Sequence, residues 1–329
     1  MNPHQWPNPL IEQRADPFIL RYTDGQYYFI ASVPEYNRLE IRRASSLAAL
    51  TRATPVTIWR KHERGPLSAL IWAPELHVIN SKWYVYFAAA PTEDIKDGLF
   101  QHRMFALECA DSDPLKGNWV EKGRIYTQFD TFSLDATHFE HKGKRYYLWA
   151  QKDPAIAGNS NLYLAEMENP WTLKGTPVML SKPELPWEVI GFKVNEGPAV
   201  IKHGERIFIT YSASATDENY CIGLLWANAD SDLLNPTSWY KSQQPVFTTS
   251  RENRQFGPGH NSFTQTDTGE DVLVYHARNY TEIEGDPLYD PNRHTRIKTF
   301  TWDRDGMPVF GEPPADRPIS EKRVRWDVR

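Results

Sequence analysis

Three acidic residues, Asp16, Asp135 and Glu196, begin similar short segments that lie far apart along the chain. Carboxyl groups that are held close together raise one another's pKa, so such a cluster costs stability. The cluster suits acid–base chemistry, in which one carboxylate takes a proton and one carboxylic acid gives a proton. Hydrolysis of a glycosidic bond uses such a pair, and a third carboxylate can keep the acid protonated. These residue types therefore point to glycoside hydrolysis if the fold brings them together.

The three acids occupy matching positions of a repeat that occurs five times. The copies start at Asp16, Trp72, Asp135, Glu196 and His260, at intervals of 56 to 64 residues. Each copy contains a strand, a tight polar turn and a second strand that is almost continuously apolar. Gly and Asn in such turns accept the positive φ of a β-hairpin. Continuous apolar strands are typical of sheets that are covered on both faces.

The length of the repeat leaves room for two further strands in each copy, as in the blades of a propeller. The sequence therefore predicts an all-β fold, a five-bladed β-propeller with four-stranded blades around a central axis. An ordinary β-sandwich with coincidental hairpins is the alternative. The whole chain, residues 1–329, is expected to be one domain. Its blades are expected at approximately residues 14–68, 69–131, 132–193, 194–257 and 258–312.

The composition agrees with this fold and excludes several classes of protein. Aromatic residues make up 13% of the chain and Pro outnumbers Gly by 25 to 18, which favours strands and turns over helices. The net charge of −5 leaves no excess of basic residues for nucleic acid or an anionic membrane. The sequence contains no Walker loop, dinucleotide fingerprint, HExxH or paired-cysteine motif. We therefore expect no nucleotide cofactor and no catalytic metal.

The propeller geometry predicts where the three carboxylates meet. The first strand of each blade lines the central channel, so residues at the same end of these strands face one another across the axis. Asp16, Asp135 and Glu196 are therefore expected at one mouth of the channel. Each has a simpler alternative as a strand-entry or turn residue, but their matching positions in the repeat favour a shared site.

Five further residues are candidates for substrate binding. Trp72 is a candidate platform for the apolar face of a sugar, and Phe132 and Phe192 are further candidates that could instead belong to the core. His260 follows a rigid turn and could bind a water, an ion or a sugar hydroxyl, or could be structural. Arg296 could pair with an axial carboxylate and a sugar oxygen, or make a surface ion pair.

Six short motifs resemble those of glycoside hydrolase family 43. They are Arg14-Ala15-Asp16-Pro17-Phe18, Trp72-Ala73-Pro74-Glu75, Ser133-Leu134-Asp135-Ala136, Val194-Asn195-Glu196-Gly197-Pro198, Gly257-Pro258-Gly259-His260-Asn261 and Trp302-Asp303-Arg304-Asp305-Gly306-Met307-Pro308. Any one motif is weak, but their combination in this order is specific and covers almost the whole chain.

The resemblance implies a five-bladed propeller and hydrolysis in a single displacement with inversion. Carried over by motif, Asp16 is the general base, Glu196 the general acid and Asp135 the residue that tunes the acid's pKa. Inversion places the base and the acid roughly 6.5–9.5 Å apart. No cofactor is implied, although members of the family sometimes hold an ion or water near the position of His260.

The context of Glu196 is similar to that of exo-acting α-L-arabinofuranosidases, which release terminal arabinose from arabinan or arabino-oligosaccharides. A β-xylosidase or an endo-arabinanase of the same family is the alternative. Two readings from other classes are a non-catalytic carbohydrate-binding propeller and a glycoside phosphorylase. The expected partner is an arabino-oligosaccharide or a related plant cell-wall oligosaccharide, with neither nucleic acid nor membrane.

No basic segment followed by an apolar stretch occurs at the N-terminus, so a cytoplasmic location is expected.

Overall fold

The computed structural model describes residues 6–318 and consists almost entirely of β-strands. Within this range the helices are four short 3-10 turns at Ala48–Arg52, Pro186–Glu188, Pro236–Ser238 and Pro287–Tyr289. A transmembrane helix is absent from residues 6–318. The prediction of an all-β fold is confirmed.

Four sheets contain four antiparallel strands each, paired in chain order. The first comprises β1 (Ala15–Arg21), β2 (Tyr27–Ser32), β3 (Arg38–Ala44) and β4 (Val56–Arg60). The second comprises β5 (Ala69–Ile79), β6 (Lys82–Ala90), β7 (Arg103–Cys109) and β8 (Trp119–Arg124). The third comprises β9 (Ser133–His141), β10 (Lys144–Gln151), β11 (Asn161–Asn169) and β12 (Thr172–Ser181). The fourth comprises β13 (Asn195–His203), β14 (Arg206–Ala213), β15 (Cys221–Asn228) and β16 (Trp239–Lys241).

The fifth sheet joins the two ends of the described chain. It contains β17 (Phe256–Gln265), β18 (Asp271–Arg278) and β19 (His294–Thr299), followed by a small hairpin of β20 (Thr301–Trp302) and β21 (Pro308–Val309). The N-terminal segment pairs with the outer edge of this sheet, because Ile11 forms an antiparallel bridge with Thr295 of β19. The predicted five-bladed propeller is confirmed. Its fifth sheet has three strands, and the opposite end of the chain supplies part of its outer edge.

Apolar side chains fill the space between neighbouring sheets. Tyr28 of β2 shares a cluster with Val85 of β6, and Leu148 of β10 shares another with Ile209 of β14. The second strand of each sheet is buried along almost its whole length, which explains its continuous apolar sequence. Burying one such side chain stabilises the fold by roughly 1.5–3 kcal/mol.

The innermost strand of each sheet, β1, β5, β9, β13 and β17, contains a bulge. The residues with positive φ at matching bulges are Asp16, Ala73, Asp135, Gly197 and His260, and β5 and β17 each have one more register shift, with positive φ at Leu70 and Gly257. The pairing with the second strand shifts register at each bulge, which re-aims the side chains there. Trp72 and Glu196 stand one residue before the bulge positions. The matching positions expected from the sequence are therefore displaced by one residue in the second and fourth blades.

Candidate active site

A cavity of about 160 Å³ lies where the bulges of the five innermost strands converge. Every blade contributes to its wall, and so do the connections between β6 and β7 (residues 98–100) and between β18 and β19 (residues 286–288). Asp16, Asp135 and Glu196 all line this cavity. The structure therefore brings the three predicted carboxylates together in one site.

Asp16 is surrounded by groups that favour its ionised form. Ser32 Oγ donates a hydrogen bond to Asp16 Oδ2 at 2.6 Å, and His260 Nδ1 pairs with Asp16 Oδ1 at 3.1 Å. Arg293 Nη1 lies 4.0 Å from the same oxygen. Burial alone raises the pKa of Asp16, but the charge and hydrogen bond of His260, together with Arg293, hold it far below its usual range. Asp16 is therefore a carboxylate that can accept a proton.

Asp135 and His260 form the centre of the site. Asp135 Oδ2 accepts a hydrogen bond from the backbone N–H of Gly197 at 3.0 Å and lies 3.8 Å from His260 Nδ1. Burial raises the pKa of Asp135 to about 6, with the charge of His260 opposing the shift and that of Asp16 adding to it. Burial lowers the pKa of His260, but the two aspartates outweigh this effect and raise it to about 10. His260 is therefore an imidazolium between two carboxyl groups.

Glu196 is the carboxyl group of the site that keeps its proton. The hydroxyl of Tyr220 donates a hydrogen bond to Glu196 Oε1 at 2.9 Å. Burial and the charge of Asp135 raise the pKa of Glu196 to about 8, although the charge of His260 and the hydrogen bond from Tyr220 oppose the shift. At neutral pH most molecules therefore carry a carboxylic acid at this position.

The site thus contains two carboxyl groups in opposite protonation states. At neutral pH Asp16 is ionised and Glu196 is protonated. Environments that drive the pKa values of two carboxyl groups apart assign one as base and the other as acid. The arrangement can take a proton from a water molecule and give a proton to a leaving oxygen.

All three aromatic residues predicted for substrate binding line the cavity. The ring of Trp72 stacks on His102, with 3.8 Å between ring centroids, and meets Phe100 edge-on at 5.1 Å. These contacts hold it as a rigid wall. Trp72 Nε1 is buried and has no hydrogen-bond partner among residues 6–318. Phe132 is buried in the wall, whereas Phe192 is 54% exposed.

The structure contradicts the predicted role of Arg296. Its side chain is fully buried in the fifth blade and does not line the cavity. It donates hydrogen bonds to side chains of Asn8, Asn279 and Asp316. The guanidinium at the cavity belongs instead to Arg293, which stands just before β19. Arg296 lies within that strand, and its contacts join the strand to both terminal segments.

Arg293 is held rigidly beside the base. Its Nη2 donates a hydrogen bond to the Tyr36 hydroxyl at 2.8 Å, and this hydroxyl donates to the backbone carbonyl of Leu288. The side chain of Arg293 is buried, and its Nε has no partner within the described part of the chain. A substrate hydroxyl in the cavity would find a fixed cation there.

Sequence reasoning missed Ser32, Tyr220 and His276. His276 Nδ1 accepts a hydrogen bond from the backbone N–H of Asp16 at 3.0 Å. The Tyr220 ring stacks on the imidazole of His276, with 5.7 Å between the ring centroids and 9° between the ring planes. Burial and the charge of Arg293 lower the pKa of His276 well below its usual value, which leaves this nitrogen free to accept. A histidine inside the apolar run of β18 was an available signal. Tyr220 lies outside the repeated hairpins, and no pattern marked it.

The contacts of His260 bear on the ion expected near it. Across residues 6–318 no group of three or more His, Cys, Asp or Glu side chains is arranged to hold a metal ion. His260 Nδ1 faces Asp16 and Asp135 as a donor, so this nitrogen offers no lone pair to a cation. The residues present do not fit a cation bound at this nitrogen, and the axial ion stays a prediction.

Comparison with known proteins identifies the family. The family model described as "Glycosyl hydrolases family 43" matches residues 6–308. The chain belongs to glycosyl hydrolase family 43. This family 43 chain is 60% identical to a solved alpha-L-arabinofuranosidase from Lactobacillus brevis, with a TM-score of 0.94 over 95% of this chain and 98% of that chain.

Two curated relatives of the family 43 chain are also similar over most of its length. It is 56% identical over 310 residues to the extracellular exo-alpha-(1->5)-L-arabinofuranosidase of Streptomyces avermitilis. The aligned region covers 94% of this chain and 64% of that protein. It is 54% identical over 286 residues to the enzyme of the same name from Streptomyces chartreusis. The aligned region covers 87% of this chain and 86% of that protein.

These relatives correct one expectation. The predicted cytoplasmic location is wrong, because both Streptomyces relatives are named extracellular. The prediction depended only on the first residues of the sequence given above. The family 43 chain spans 64% of the length of the Streptomyces avermitilis protein and of a Humicola insolens relative.

Proposed function

We propose that this chain hydrolyses the bond to the terminal α-L-arabinofuranosyl unit of arabinan or arabino-oligosaccharides, with inversion of configuration. One observation carries the proposal: Asp16, whose pKa is held far below its usual range, and Glu196, whose pKa is raised to about 8, line the same cavity. The names of the relatives support arabinofuranose as the sugar. The cavity is small and is bordered by connections from several blades, which supports attack at a chain end over attack within a chain.

In the proposed reaction, Asp16 takes a proton from a water molecule as the water oxygen bonds to the anomeric carbon. Glu196 gives its proton to the leaving oxygen as the glycosidic bond breaks on the opposite face of the ring. Asp135 acts through Glu196, since its negative charge raises the acid's pKa. After one turnover Asp16 returns its proton to solvent and Glu196 regains one.

The other cavity residues would bind the sugar. The face of Trp72 packs against C–H groups of the furanose, and the fixed guanidinium of Arg293 supplies a positive charge for its hydroxyls. His260 places a positive charge beside Asp16 and Asp135. Phe192 is exposed at the cavity and would contact the leaving part of the substrate.

The proposal is tested with purified protein and α-1,5-linked arabinotriose, followed by proton NMR. We expect free arabinose that appears first as the β-anomer. Asp16→Asn and Glu196→Gln should each lower turnover by roughly 10²–10⁴-fold with an unchanged circular dichroism spectrum. Normal turnover in either variant would exclude the assigned role of that residue.

The same experiment separates the alternatives. Release of xylose from xylobiose, with arabinotriose untouched, would indicate a β-xylosidase. Rapid shortening of linear arabinan with little free arabinose would indicate an endo-arabinanase. Binding of the oligosaccharide without any product would indicate a non-catalytic carbohydrate-binding propeller.

A further inference from the structure

Tyr220 stands immediately before β15, lines the cavity and is 1% exposed. Its hydroxyl donates to one of the two carboxyl oxygens of Glu196, Oε1, at 2.9 Å. We propose that Tyr220 is a positioning residue that keeps the transferable proton of Glu196 on Oε2. This inference rests on the proposed function, in which Glu196 is the acid.

The neighbours of the Tyr220 hydroxyl indicate the direction of its bond to Glu196. The backbone N–H of His260 donates to Ser212 Oγ at 2.7 Å. The Ser212 hydroxyl favours the ionised form of Tyr220 and lowers its pKa, which is the effect of a donor. Since Ser212 Oγ already accepts from His260, its own hydrogen is available to the Tyr220 oxygen. The Tyr220 hydrogen then points to Glu196. A carboxyl oxygen that accepts a hydrogen bond in this way leaves the other oxygen to carry the acid proton.

The same hydrogen bond favours the transition state. While Glu196 is protonated, the bond from Tyr220 joins two neutral groups. As the proton leaves, the acceptor gains negative charge and the bond becomes charge-assisted, which is roughly twice as strong. An interaction that strengthens along the reaction lowers the barrier. Burial and the charge of Glu196 raise the pKa of Tyr220 well above its usual value, so Tyr220 keeps its hydrogen throughout.

The surroundings of Tyr220 are built to hold its ring in place. A Cβ atom at Gly259 would lie 2.2 Å from ring atoms of Tyr220, and one at Gly257 would lie 2.1 Å from the backbone oxygen of Asp217. That oxygen accepts the backbone N–H of Tyr220 at 3.2 Å. Two glycines of one short motif therefore leave room for the tyrosine and for the turn before it.

The ring of Tyr220 also connects the acid to the base. One face stacks on His276, whose Nδ1 accepts the backbone N–H of Asp16. A shift of the tyrosine would therefore disturb both ends of the reaction. For this reason the test replaces only the hydroxyl and leaves the ring.

The charged groups around Glu196 predict the direction of the pH effect. Asp135 and Asp16 raise its pKa, whereas His260 and the hydrogen bond from Tyr220 lower it. Tyr220→Phe removes one of the two lowering contributions and changes no charge. The alkaline limb of the pH profile of kcat/KM should therefore move to higher pH.

The test compares Tyr220→Phe with the wild type on two substrates. One is α-1,5-linked arabinobiose, whose leaving group needs a proton, and the other is a 2,4-dinitrophenyl arabinofuranoside, whose leaving group departs without one. We expect kcat/KM to fall roughly 10- to 100-fold on arabinobiose, the loss of one hydrogen bond to a charged group. The loss on the activated substrate should be much smaller. Tyr84→Phe is the matched control. The Tyr84 hydroxyl also donates to a carboxylate, that of Glu108, with an oxygen–oxygen distance of 2.6 Å, but Tyr84 does not line the cavity.

Equal losses on the two substrates, or an unshifted alkaline limb, would overturn the role of Tyr220 while leaving the proposed function intact. A wild type that cleaves neither substrate would overturn both. A measurement without substrate separates the role of Tyr220 from the proposed function. It is a titration of the Glu196 carboxyl group by carbon-13 NMR, in which the signal is assigned by its absence in Glu196→Gln. Its pKa should be higher in Tyr220→Phe, and an unchanged pKa overturns the inference whatever the activity.

Discussion

Replacing Asp135 by Asn tests the electrostatics of the site most directly. Asparagine keeps a side-chain oxygen to accept the backbone N–H of Gly197 but removes the negative charge. After burial, that charge is the largest contribution that raises the pKa of Glu196 to about 8. His260 keeps its ion pair with Asp16 and remains a cation that favours ionised Glu196. The pKa of the acid must therefore fall in the variant.

The size of the effect follows from the charge removed. A neighbouring charge within a buried site shifts a carboxyl pKa by about 1–3 units, and we take a fall of about 1–2 units for Glu196. At pH 8 the protonated fraction of Glu196 then drops from about one half to about 0.1–0.01, while at pH 5 it stays near one. The ratio of kcat/KM at pH 8 to that at pH 5 should therefore fall roughly 5- to 50-fold.

The assay is a pH profile of kcat/KM on arabinobiose between pH 4 and 9 in buffers of constant ionic strength. Asp113→Asn is a matched control, because it also removes one carboxylate but lies outside the cavity. A uniform loss of activity at all pH values, with the alkaline limb still near pH 8, would refute the reasoning. It would mean that Asp135 contributes by geometry and that its charge does not reach Glu196.

Two further predictions concern residues around the site. Arg293→Leu should lower kcat/KM on arabinobiose at least 10-fold, because a guanidinium beside Asp16 is lost. Arg296→Leu should leave KM unchanged and lower the free energy of unfolding in urea by about 2–3 kcal/mol, because buried hydrogen bonds such as that to Asp316 are lost. A raised KM with full stability would contradict the position of Arg296 outside the cavity. Glu188→Ala should cost about 3–5 kcal/mol by chemical denaturation, since it removes a fully buried carboxylate that pairs with Lys241 Nζ at 2.8 Å and accepts hydrogen bonds from Asn195 and Tyr211. The exposed Asp230→Ala serves as its control, with no measurable change expected; equal stability of the two variants would count against a structural role for Glu188.

The repeat predicted most of the fold but missed its register at two blades. Aligning the apolar strands of the repeats made Glu196 equivalent to Asp16. In the structure the residue equivalent to Asp16 at the bulge is Gly197. A proline follows the bulge residue in three blades, at Pro17, Pro74 and Pro198, and would have given the correct register. The difference matters because the bulge residue and the residue before it leave the backbone in different directions.

Arg296 and Arg293 illustrate a second limit of sequence patterns. Both are arginines near the start of one strand, and no periodicity separates them. The distinction comes from partners elsewhere: Asn8 and Asp316 at the two ends of the described chain hold Arg296, whereas Tyr36 holds Arg293. Such partners become visible only when the ring is closed.

Local patterns in the chain were enough to predict the five blades, the family and the three carboxylates, because hairpins, apolar strands and short motifs are properties of neighbouring residues. The protonation states of those carboxylates came only from the folded ring. Asp16 is ionised because His260 and Arg293 of the fifth blade meet it, and Glu196 is protonated because it is buried and because Asp135 comes from the third blade. Electrostatic energy depends on distance in space and on burial, and neither is written in the order of residues.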